Sequence, residues 1–257
     1  MWLRLRQIAL IARELEPVVD DHRDVLGIEV GYRDPGVAAF GLENALLPIG
    51  NQLLEVVAPV QEGTAGGRFL DRRGGDGGYM VITQCDDHAP RRRRVEELGV
   101  RIVHSFERPH FRNMQLHPKD TGGSFFEIDE QVGPGSHDPD GPWDPAGGDV
   151  WKAARRTDVV TGITGAEVQA EDPERVASRW AEIAELAVAR DRAGNPCIEL
   201  KDATVRFVPI TDGRGEGLGG IDLRVVGRDV LLSAAKARGC YVSDDQVLIC
   251  GTRMYLR

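Results

Sequence analysis

Two glutamates stand inside apolar, strand-like runs of this 257-residue sequence. Glu55 lies in LLEVVAP and Glu127 in SFFEIDE. Because side chains alternate between the two faces of a strand, Glu55 shares its face with Leu53 and Val57, and Glu127 shares its face with Phe125. Burying a carboxylate among apolar neighbours is costly unless another group pairs with it. Two such carboxylates indicate acid–base chemistry on a carbon acid, which needs a positioned carboxylate and an electrostatic partner for the enolate.

Signatures of other common reaction centres are absent from the sequence. It contains no G-x-S-x-G elbow, and its four cysteines form no C-x-x-C pair, which argues against a serine hydrolase, a zinc knuckle or a disulfide framework. The glycine-rich stretch Gly74 to Gly78 follows Arg68 and Arg72 but has neither phosphate-loop pattern. We expect either a solvated turn or a mobile loop whose arginines close over an anionic ligand, such as a carboxylate or an acyl-CoA.

The charge balance limits the partners of the chain. Lysine and arginine number 32 against 41 aspartates and glutamates, which gives a net charge of −9. This acidity argues against general binding to nucleic acids or anionic membranes, both of which require a positive surface. No apolar run approaches the ~20 residues of a membrane span, and Met1–Arg6 has no signal-peptide pattern. We expect a cytoplasmic protein with a small-molecule ligand, and a homodimer is compatible with the sequence.

A pattern of elements recurs four times along the chain. An apolar strand leads through an acidic or proline-containing turn into an amphipathic helix, and further strands follow. The four copies begin at Gln7, Met80, Gly165 and Gly220. The sequence therefore predicts an α+β fold in which four βαβββ-type modules pair into two domains, each with a curved mixed sheet that forms a cup.

One segment differs from the rest in composition. Residues 131–149 read QVGPGSHDPDGPWDPAGGD, without apolar periodicity, which is typical of a linker or a long surface loop. We predict a first domain at 1–132 that carries the pocket, a Gly/Pro/Asp-rich linker at 133–156 and a second, degenerate domain at 157–257. Few buried groups, and early proteolytic cleavage, are expected in the linker.

The paired unit resembles the vicinal oxygen chelate superfamily, which includes glyoxalase I, methylmalonyl-CoA epimerases, extradiol dioxygenases and bleomycin-resistance proteins. The resemblance covers nearly the whole first half and is carried by QIALIARELEPVVDDHRDVLGIEV, NQLLEVVAP, RFLDRRGGDGGYMVITQCDD, LGVRIV and LHPKDTGGSFFEID. Methylmalonyl-CoA epimerases look most similar, since LLEVVAP, RFLDRRG and HPK have counterparts there. The second half resembles the superfamily in pattern only.

In the metal-dependent members, four strands each point one ligand into the cup, usually two histidines and two carboxylate or amide groups. By this resemblance the four places fall on Gln7, Glu55, Met80 and Glu127; if the register slips by one residue, Tyr79 faces inward in place of Met80. Because both histidine positions are lost and imidazole carries much of the affinity, we expect no tightly bound metal. Glu55, Glu127 and Gln7 could hold a divalent ion only weakly.

In the second half the equivalent places fall on Gly165, Arg206, Gly220 and Tyr255, which cannot form a metal site. That half is expected to be a structural partner or a pocket that has lost its chemistry. Arg206 either pairs with a buried acid or clamps an anion.

His117 precedes Pro118 in the phrase shared with the epimerases, at the start of the strand that leads to Glu127. It either contacts the ligand or packs beneath the turn at Gly122 and Gly123.

The resemblance implies an isomerase or a lyase that acts on a small carboxylate or an acyl thioester. Glu127 would be the main acid–base residue, Glu55 the second, and Gln7 an orienting hydrogen-bond group. The alternative is a metal-free binding protein of the sequestering or resistance type, without catalysis. If no cation neutralises Glu55 and Glu127 in one apolar cup, at least one pKa should rise, and we expect the pair to share a proton.

Overall fold

Two mixed β-sheets form the framework of the computed structural model, which describes residues 1–257. The first half contains β1 (Leu3–Ile11), α1 (Leu15–Leu26), β2 (Leu42–Ile49), β3 (Gln52–Pro59), α2 (Ala65–Arg73), β4 (Gly77–Cys85), α3 (His88–Glu97), β5 (Ile102–Arg108), β6 (Phe111–Leu116), α4 (Pro118–Thr121) and β7 (Phe125–Gln131). Its seven strands lie in the order β2-β3-β1-β4-β7-β6-β5. A 3-10 helix at Pro35–Phe40 precedes β2.

The second half contains β8 (Val160–Ala170), α5 (Pro173–Ala184), β9 (Val188–Arg190), β10 (Pro196–Glu199), β11 (Thr204–Pro209), β12 (Gly217–Val225), α6 (Arg228–Arg238), β13 (Tyr241–Ser243), β14 (Gln246–Ile249) and β15 (Thr252–Leu256). Its eight strands lie in the order β13-β14-β15-β12-β8-β11-β10-β9. None of the helices combines the length and apolar character that a membrane crossing requires.

Both sheets share one plan. An antiparallel pair lies at the centre, β1 with β4 in the first sheet and β8 with β12 in the second. Each central strand has a parallel partner on its outer side: β3 beside β1, β7 beside β4, β11 beside β8 and β15 beside β12. The predicted α+β fold with four paired modules is therefore confirmed. The first module is the most reduced, because an isolated bridge between Tyr32 and Leu46 stands where a further strand would lie.

Two β-bulges interrupt the central pair of the first sheet, and one of them turns an extra side chain toward the cup. Along β1 and β4 the pairing skips Arg6 on one strand and Tyr79 on the other. A bulged residue breaks the strict alternation of faces. Tyr79 and its neighbour Met80 consequently both reach the same cavity, which simple alternation does not allow.

Arg68 and Arg72, which precede the glycine-rich stretch, belong to a helix, α2. The Thr64 hydroxyl accepts a hydrogen bond from the backbone N–H of Gly67 and caps the start of α2, and Gly74 ends it in the left-handed conformation. Both are standard helix boundaries. The arginines thus lie on a capped helix beside β3, and the glycine-rich stretch leads from its end into β4.

The segment between the sheets is mostly exposed over residues 133–140 but buries several residues from Gly141 to Trp151, so the expectation of few buried groups in it holds only for its first part. Trp143 and Trp151, in and next to two short 3-10 helices, are fully buried. Arg6 donates hydrogen bonds to the carbonyl groups of Pro139 and Gly141. These contacts hold backbone that has no regular secondary structure. Early cleavage between Gly133 and Asp149 stays a prediction. The boundaries at 132 and 157 stay a prediction.

The two halves share a hydrophobic core. One cluster of 53 buried residues includes side chains from both sheets. Phe126 of β7 stacks on Trp180 of α5, with ring centroids 4.3 Å apart and an interplanar angle of 8°. Gly78 of β4 lies so close to Leu218 of β12 that an added Cβ would come within 2.3 Å of the Leu218 carbonyl oxygen. A side chain at position 78 would push the halves apart.

Candidate functional site

The concave face of the first sheet encloses a cavity of about 1200 Å³. This exceeds the size of most ligand pockets, which is roughly 300–1,000 Å³. Its lining includes all but one of the predicted site residues, namely Gln7, Glu55, Arg72, Tyr79, Met80, His117 and Glu127. The exception is Arg68, which is exposed and donates a hydrogen bond to the Gly63 carbonyl oxygen at 2.6 Å. The structure thus gathers seven predicted residues around one space.

Glu55 is held by amide groups from two neighbouring strands. Its Oε2 accepts a hydrogen bond from Gln7 Nε2 at 2.8 Å, and its Oε1 accepts one from Asn44 Nδ2 at 2.6 Å. Burial raises the pKa of Glu55 to about 7, and the charge of Glu127 adds to this rise, while the two amide donors oppose it. Glu55 is therefore placed to change its protonation state near neutral pH.

Glu127 is held in the same way from β6. Its Oε1 accepts a hydrogen bond from Asn113 Nδ2 at 2.8 Å, and its Oε2 accepts one from Gln115 Nε2 at 3.0 Å. The same Asn113 amide lies 3.0 Å from Asp129 Oδ1. Burial raises the pKa of Glu127, and burial together with the charge of Glu127 raises the pKa of Asp129 well above its usual range.

The carboxyl group that interacts most strongly with Glu127 is thus Asp129, two residues along the same strand. Asp129 is fully buried, and its Oδ2 has no hydrogen-bond partner. Glu55 and Glu127 make no hydrogen bond to each other, and each of their oxygens accepts one amide N–H. That Glu55 and Glu127 share one proton stays a prediction. The raised pKa values of both fit it, and Glu127 also raises the pKa of Asp129.

Gln7 connects Glu55 to the segment between the sheets. Its Oε1 accepts a hydrogen bond from the Trp143 indole Nε1 at 2.9 Å. The Gln7 side chain is 2% exposed and Trp143 is 0% exposed. Since one end of the amide accepts from Trp143, the other end donates to Glu55.

An aromatic wall lies beside the carboxylates. The Tyr79 ring packs edge-on against Phe69 and Phe125, with centroids 4.8 and 5.1 Å away. Burial raises the pKa of Tyr79 to about 12, which excludes this phenol as a base at neutral pH. Met80 accepts a weak hydrogen bond through Sδ from Gln115 Nε2 at 3.2 Å. The cavity thus has a polar floor and an apolar side.

Cationic groups lie at the rim of the cavity rather than on its floor. Arg72 is exposed and forms no hydrogen bond or salt bridge with the rest of the chain. His117 accepts a hydrogen bond from the backbone N–H of Lys119 through Nδ1 at 3.0 Å and caps the short helix α4. Partial burial and the nearby Arg101 charge lower the pKa of His117. His117 therefore combines a capping role with a place in the cavity lining.

The second half completes one wall of the cavity. Arg214 and Glu216, in the connection from β11 to β12, line the same space. Arg73 Nη1 donates hydrogen bonds to the carbonyl oxygens of Arg214 and Gly215 at 2.9 and 2.8 Å. Burial lowers the pKa of Arg73 to about 10, so it stays charged at neutral pH. This guanidinium fastens the wall to the end of α2.

Comparison with known proteins gives this fold a family. A family model described as a glyoxalase-like domain matches residues 8–184, which is more than half of the chain. The chain belongs to this glyoxalase-like family. The expected membership of the vicinal oxygen chelate superfamily is thereby confirmed.

Individual relatives of this glyoxalase-like protein include an epimerase. The ethylmalonyl-CoA/methylmalonyl-CoA epimerase of Cereibacter sphaeroides is 28% identical over 135 residues, which cover 49% of this chain and 97% of the epimerase. A structure of Streptomyces coelicolor methylmalonyl-CoA epimerase in complex with 2-nitronate-propionyl-CoA is 22% identical, with a TM-score of 0.46, and covers 52% of this chain and 100% of that chain. A hypothetical protein from Staphylococcus aureus is 14% identical, with a TM-score of 0.65, and covers 100% of this chain and 99% of that chain. This last likeness extends the fold assignment to both halves.

Members of the superfamily often hold a divalent metal, but the donor groups in the cup of this glyoxalase-like protein are already engaged. All four oxygens of Glu55 and Glu127 accept amide N–H groups. The Gln7 oxygen accepts the Trp143 indole N–H, and the fourth place is the thioether of Met80. No group of three or more His, Cys, Asp or Glu side chains is arranged for a metal. One lone pair of each carboxylate oxygen is thus engaged, and a glutamine and a thioether stand in the two histidine places, so these residues do not fit a tightly held transition metal.

The second glyoxalase-like cup is filled by an ion-pair network. Arg206 pairs with Glu167 at 3.0 Å and also with Asp222. Arg253 pairs with Glu167 at 2.9 Å, and the Tyr255 hydroxyl donates to the same carboxylate at 2.9 Å. Arg206 therefore pairs with buried acids, which was one of its two interpretations.

The two glycine positions of that cup make room for the network. A Cβ at Gly165 would lie 2.6 Å from Asp222 Oδ2, and one at Gly220 would lie 2.8 Å from the Tyr255 ring. Side chains at these positions would displace the charged groups. The two cups thus differ: in the second the charged side chains pair with one another, whereas the carboxylates of the first face a cavity.

Several residues of the site escaped the sequence analysis. Asn113 and Gln115 alternate on β6, and this spacing of two could have marked them as inward-facing donors. Asn44 on β2 has no comparable signal. Trp143 lies in a segment without periodicity, so nothing in its surroundings indicated that it reaches Gln7.

Proposed function

We propose that this protein is an acid–base enzyme that moves a proton at the carbon next to a carbonyl group in a small carboxylate or an acyl thioester. The main support is the pair of buried carboxylates, Glu55 and Glu127, which face one cavity with raised pKa values. A general base works best when its pKa lies near the working pH, and the pKa of Glu55 is about 7. The relative named as an ethylmalonyl-CoA/methylmalonyl-CoA epimerase supports an acyl thioester.

The positions of the carboxylates suit a reaction in which the proton leaves one face of the substrate and returns to the other. Glu55 lies on β3 and Glu127 on β7, with β1 and β4 between them. One carboxylate removes the α-proton, and the electron pair of the broken C–H bond becomes the enolate. The other carboxyl group, protonated at the start, donates to the opposite face of the same carbon. This exchange balances without any further reactant.

The test is proton exchange in deuterated buffer. The protein is incubated with methylmalonyl-CoA, ethylmalonyl-CoA or small 2-substituted carboxylates, and NMR follows the loss of the α-proton signal. Glu127→Gln and Glu55→Gln should each slow exchange by roughly 10²-fold or more, which is typical for loss of a general acid or base. Glu43→Gln, the same change at an exposed position of β2, is the matched control and should leave the rate unchanged.

A binding protein without catalysis is the second candidate, and the aromatic wall of Phe69, Tyr79 and Phe125 favours it. An apolar side of this kind holds a ligand by burial alone. The same experiment separates the two: a compound that binds and raises the melting temperature, while no tested substrate exchanges its α-proton, would support sequestration and contradict the enzyme.

A further inference from the structure

A chain of hydrogen bonds runs from the connecting segment to a carboxylate of the cup. The Trp143 indole Nε1 donates to Gln7 Oε1 at 2.9 Å, and Gln7 Nε2 donates to Glu55 Oε2 at 2.8 Å. All three side chains are buried, with Glu55 the most exposed at 8%. Water is therefore largely kept from replacing either bond.

The chemistry of the three groups makes this chain directional. An indole N–H can only donate, an ionised carboxylate can only accept, and a glutamine amide can do either, depending on how it is rotated. Without a fixed donor at its far end, the Gln7 amide could turn over and place its oxygen against the Glu55 carboxylate. Two acceptors would then face each other, and the buried charge would lose a donor.

We propose that Trp143 is a positioning residue that sets the rotation of the Gln7 amide, so that its N–H group always faces Glu55. The role of Glu55 in catalysis rests on the proposed function, whereas the orientation of Gln7 does not. The connecting segment is accordingly a working part of the site and not only a link between the sheets.

Trp143 is itself held rigidly. The Arg6 guanidinium lies 5.4 Å from the centre of the Trp143 ring and 5.3 Å from that of Trp151, so it is placed between the two indoles. Phe111 packs edge-on against Trp143 at 5.1 Å. The backbone N–H of Trp143 donates to the Gly148 carbonyl oxygen at 2.9 Å. A donor fixed in this way can impose an orientation on a more mobile amide.

Trp151 offers a matched control within the same segment. It is as fully buried as Trp143 and contacts the same Arg6. Its Nε1, however, has no hydrogen-bond partner. Trp143→Phe and Trp151→Phe thus remove similar volume beside the same cation, but only the first removes a hydrogen bond to Gln7.

The test is solvent exchange of the Gln7 side-chain amide protons, followed by NMR on ¹⁵N-labelled protein, with the resonance assigned by its loss in Gln7→Leu. Trp143→Phe should speed this exchange roughly fivefold, the equivalent of one hydrogen bond of ~1 kcal/mol. Trp151→Phe should leave the rate unchanged. Gln7→Leu, in turn, should speed exchange of the Trp143 indole proton, a reciprocal measurement that remains available if Trp143→Phe does not fold.

The outcomes are distinct. The proposal is supported if solvent exchange of the Gln7 amide protons becomes faster only in Trp143→Phe, or if exchange of the Trp143 indole proton becomes faster in Gln7→Leu. Equal acceleration in both tryptophan variants would show general loosening and overturn it, as would no change in any variant. These measurements need no substrate, so their result does not depend on whether the protein catalyses the proposed α-proton exchange. If the enzyme proposal also holds, Trp143→Phe should lower kcat more than it changes KM, since Glu55 would be misplaced only for the chemical step.

Discussion

Amide side chains, rather than cations, surround the two carboxylates of the cup. Gln7 and Asn44 donate to Glu55, and Asn113 and Gln115 donate to Glu127. An amide donor stabilises an ionised carboxylate without adding charge. Burial, which raises a carboxyl pKa, has a larger effect here than these hydrogen bonds, which lower it. The pKa values of Glu55 and Glu127 are consequently both raised. A bound divalent cation would have the opposite effect and keep both groups ionised.

Metal content follows from this arrangement. We expect protein purified without chelator to contain no stoichiometric zinc, cobalt or nickel, because amide hydrogens face the carboxylate oxygens and both imidazole places are lost. Restoring these places in a Gln7→His, Met80→His double variant should increase affinity for zinc. Elemental analysis and calorimetric titration measure both. One tightly held transition metal per wild-type chain would contradict the hydrogen-bond pattern.

Asp129 should respond to its neighbour on β7. Glu127→Gln removes a negative charge that raises the pKa of Asp129, so the pKa of Asp129 should fall in this variant. Glu55→Gln, which removes a carboxylate from β3, should leave Asp129 nearly unchanged. Carboxyl-resolved NMR titration distinguishes the two variants. A similar response to both changes would mean that the three carboxyl groups titrate as one unit.

The strands with regular alternation were predictable, and the irregular elements were not. Glu55 and Glu127 could be assigned to the cup because each lies in a run whose two faces differ. The bulge at Tyr79 could not, since one extra residue changes the face of a side chain without changing composition. Arg91 shows the same limit on α3: it begins a run of four arginines, a composition typical of solvated surface, yet it is buried and donates to the Ala184 carbonyl oxygen.

Helix α1 carries a pH-sensitive residue. His22 is fully buried, its Nε2 has no partner, and burial lowers its pKa to about 4 from 6.5. Above pH 6.5 the histidine is neutral in both the folded and the unfolded chain, so its burial as a neutral group does not change the free energy of unfolding with pH. As pH falls from 6.5 to 4, His22 becomes protonated in the unfolded chain but stays neutral in the folded chain. The free energy of unfolding therefore decreases over this pH range.

The expected size of this loss is ~3 kcal/mol, from 1.36 kcal/mol for each pKa unit. His22→Gln should lack it. Urea denaturation of both proteins at pH 7 and pH 4 gives the difference in unfolding free energy at each pH, and other titrating groups cancel in the comparison. If that difference is the same at both pH values, His22 does not control acid stability.

The whole molecule is expected to unfold as one unit, because a single core joins the two sheets. Trp180 is central to this core, since it stacks on Phe126 and meets Phe207 edge-on at 5.5 Å. Trp180→Ala should lower the free energy of unfolding by ~3–5 kcal/mol, as for other buried aromatic truncations. Hydrogen exchange monitored by mass spectrometry should become faster in peptides from both sheets.

The control for that variant is Val230→Ala, an exposed position on α6, which should change stability little. If only α5 and the second sheet exchange faster in Trp180→Ala, the halves unfold separately. The sequence predicted two similar units but not the core that they share. That core depends on which surfaces of the two sheets and their helices pack together, and the pattern within each unit does not specify this.

The wall that the second half contributes has a practical consequence for finding the ligand. Arg214 and Glu216 line the cavity but belong to the connection between β11 and β12 of the second sheet. A compound that fills the cavity and contacts them therefore stabilises both halves against thermal unfolding. At a concentration of 100 times its Kd, such a compound adds ~2.7 kcal/mol to stability. A thermal-shift screen of metabolite libraries would therefore register occupants of the cup before any reaction is known.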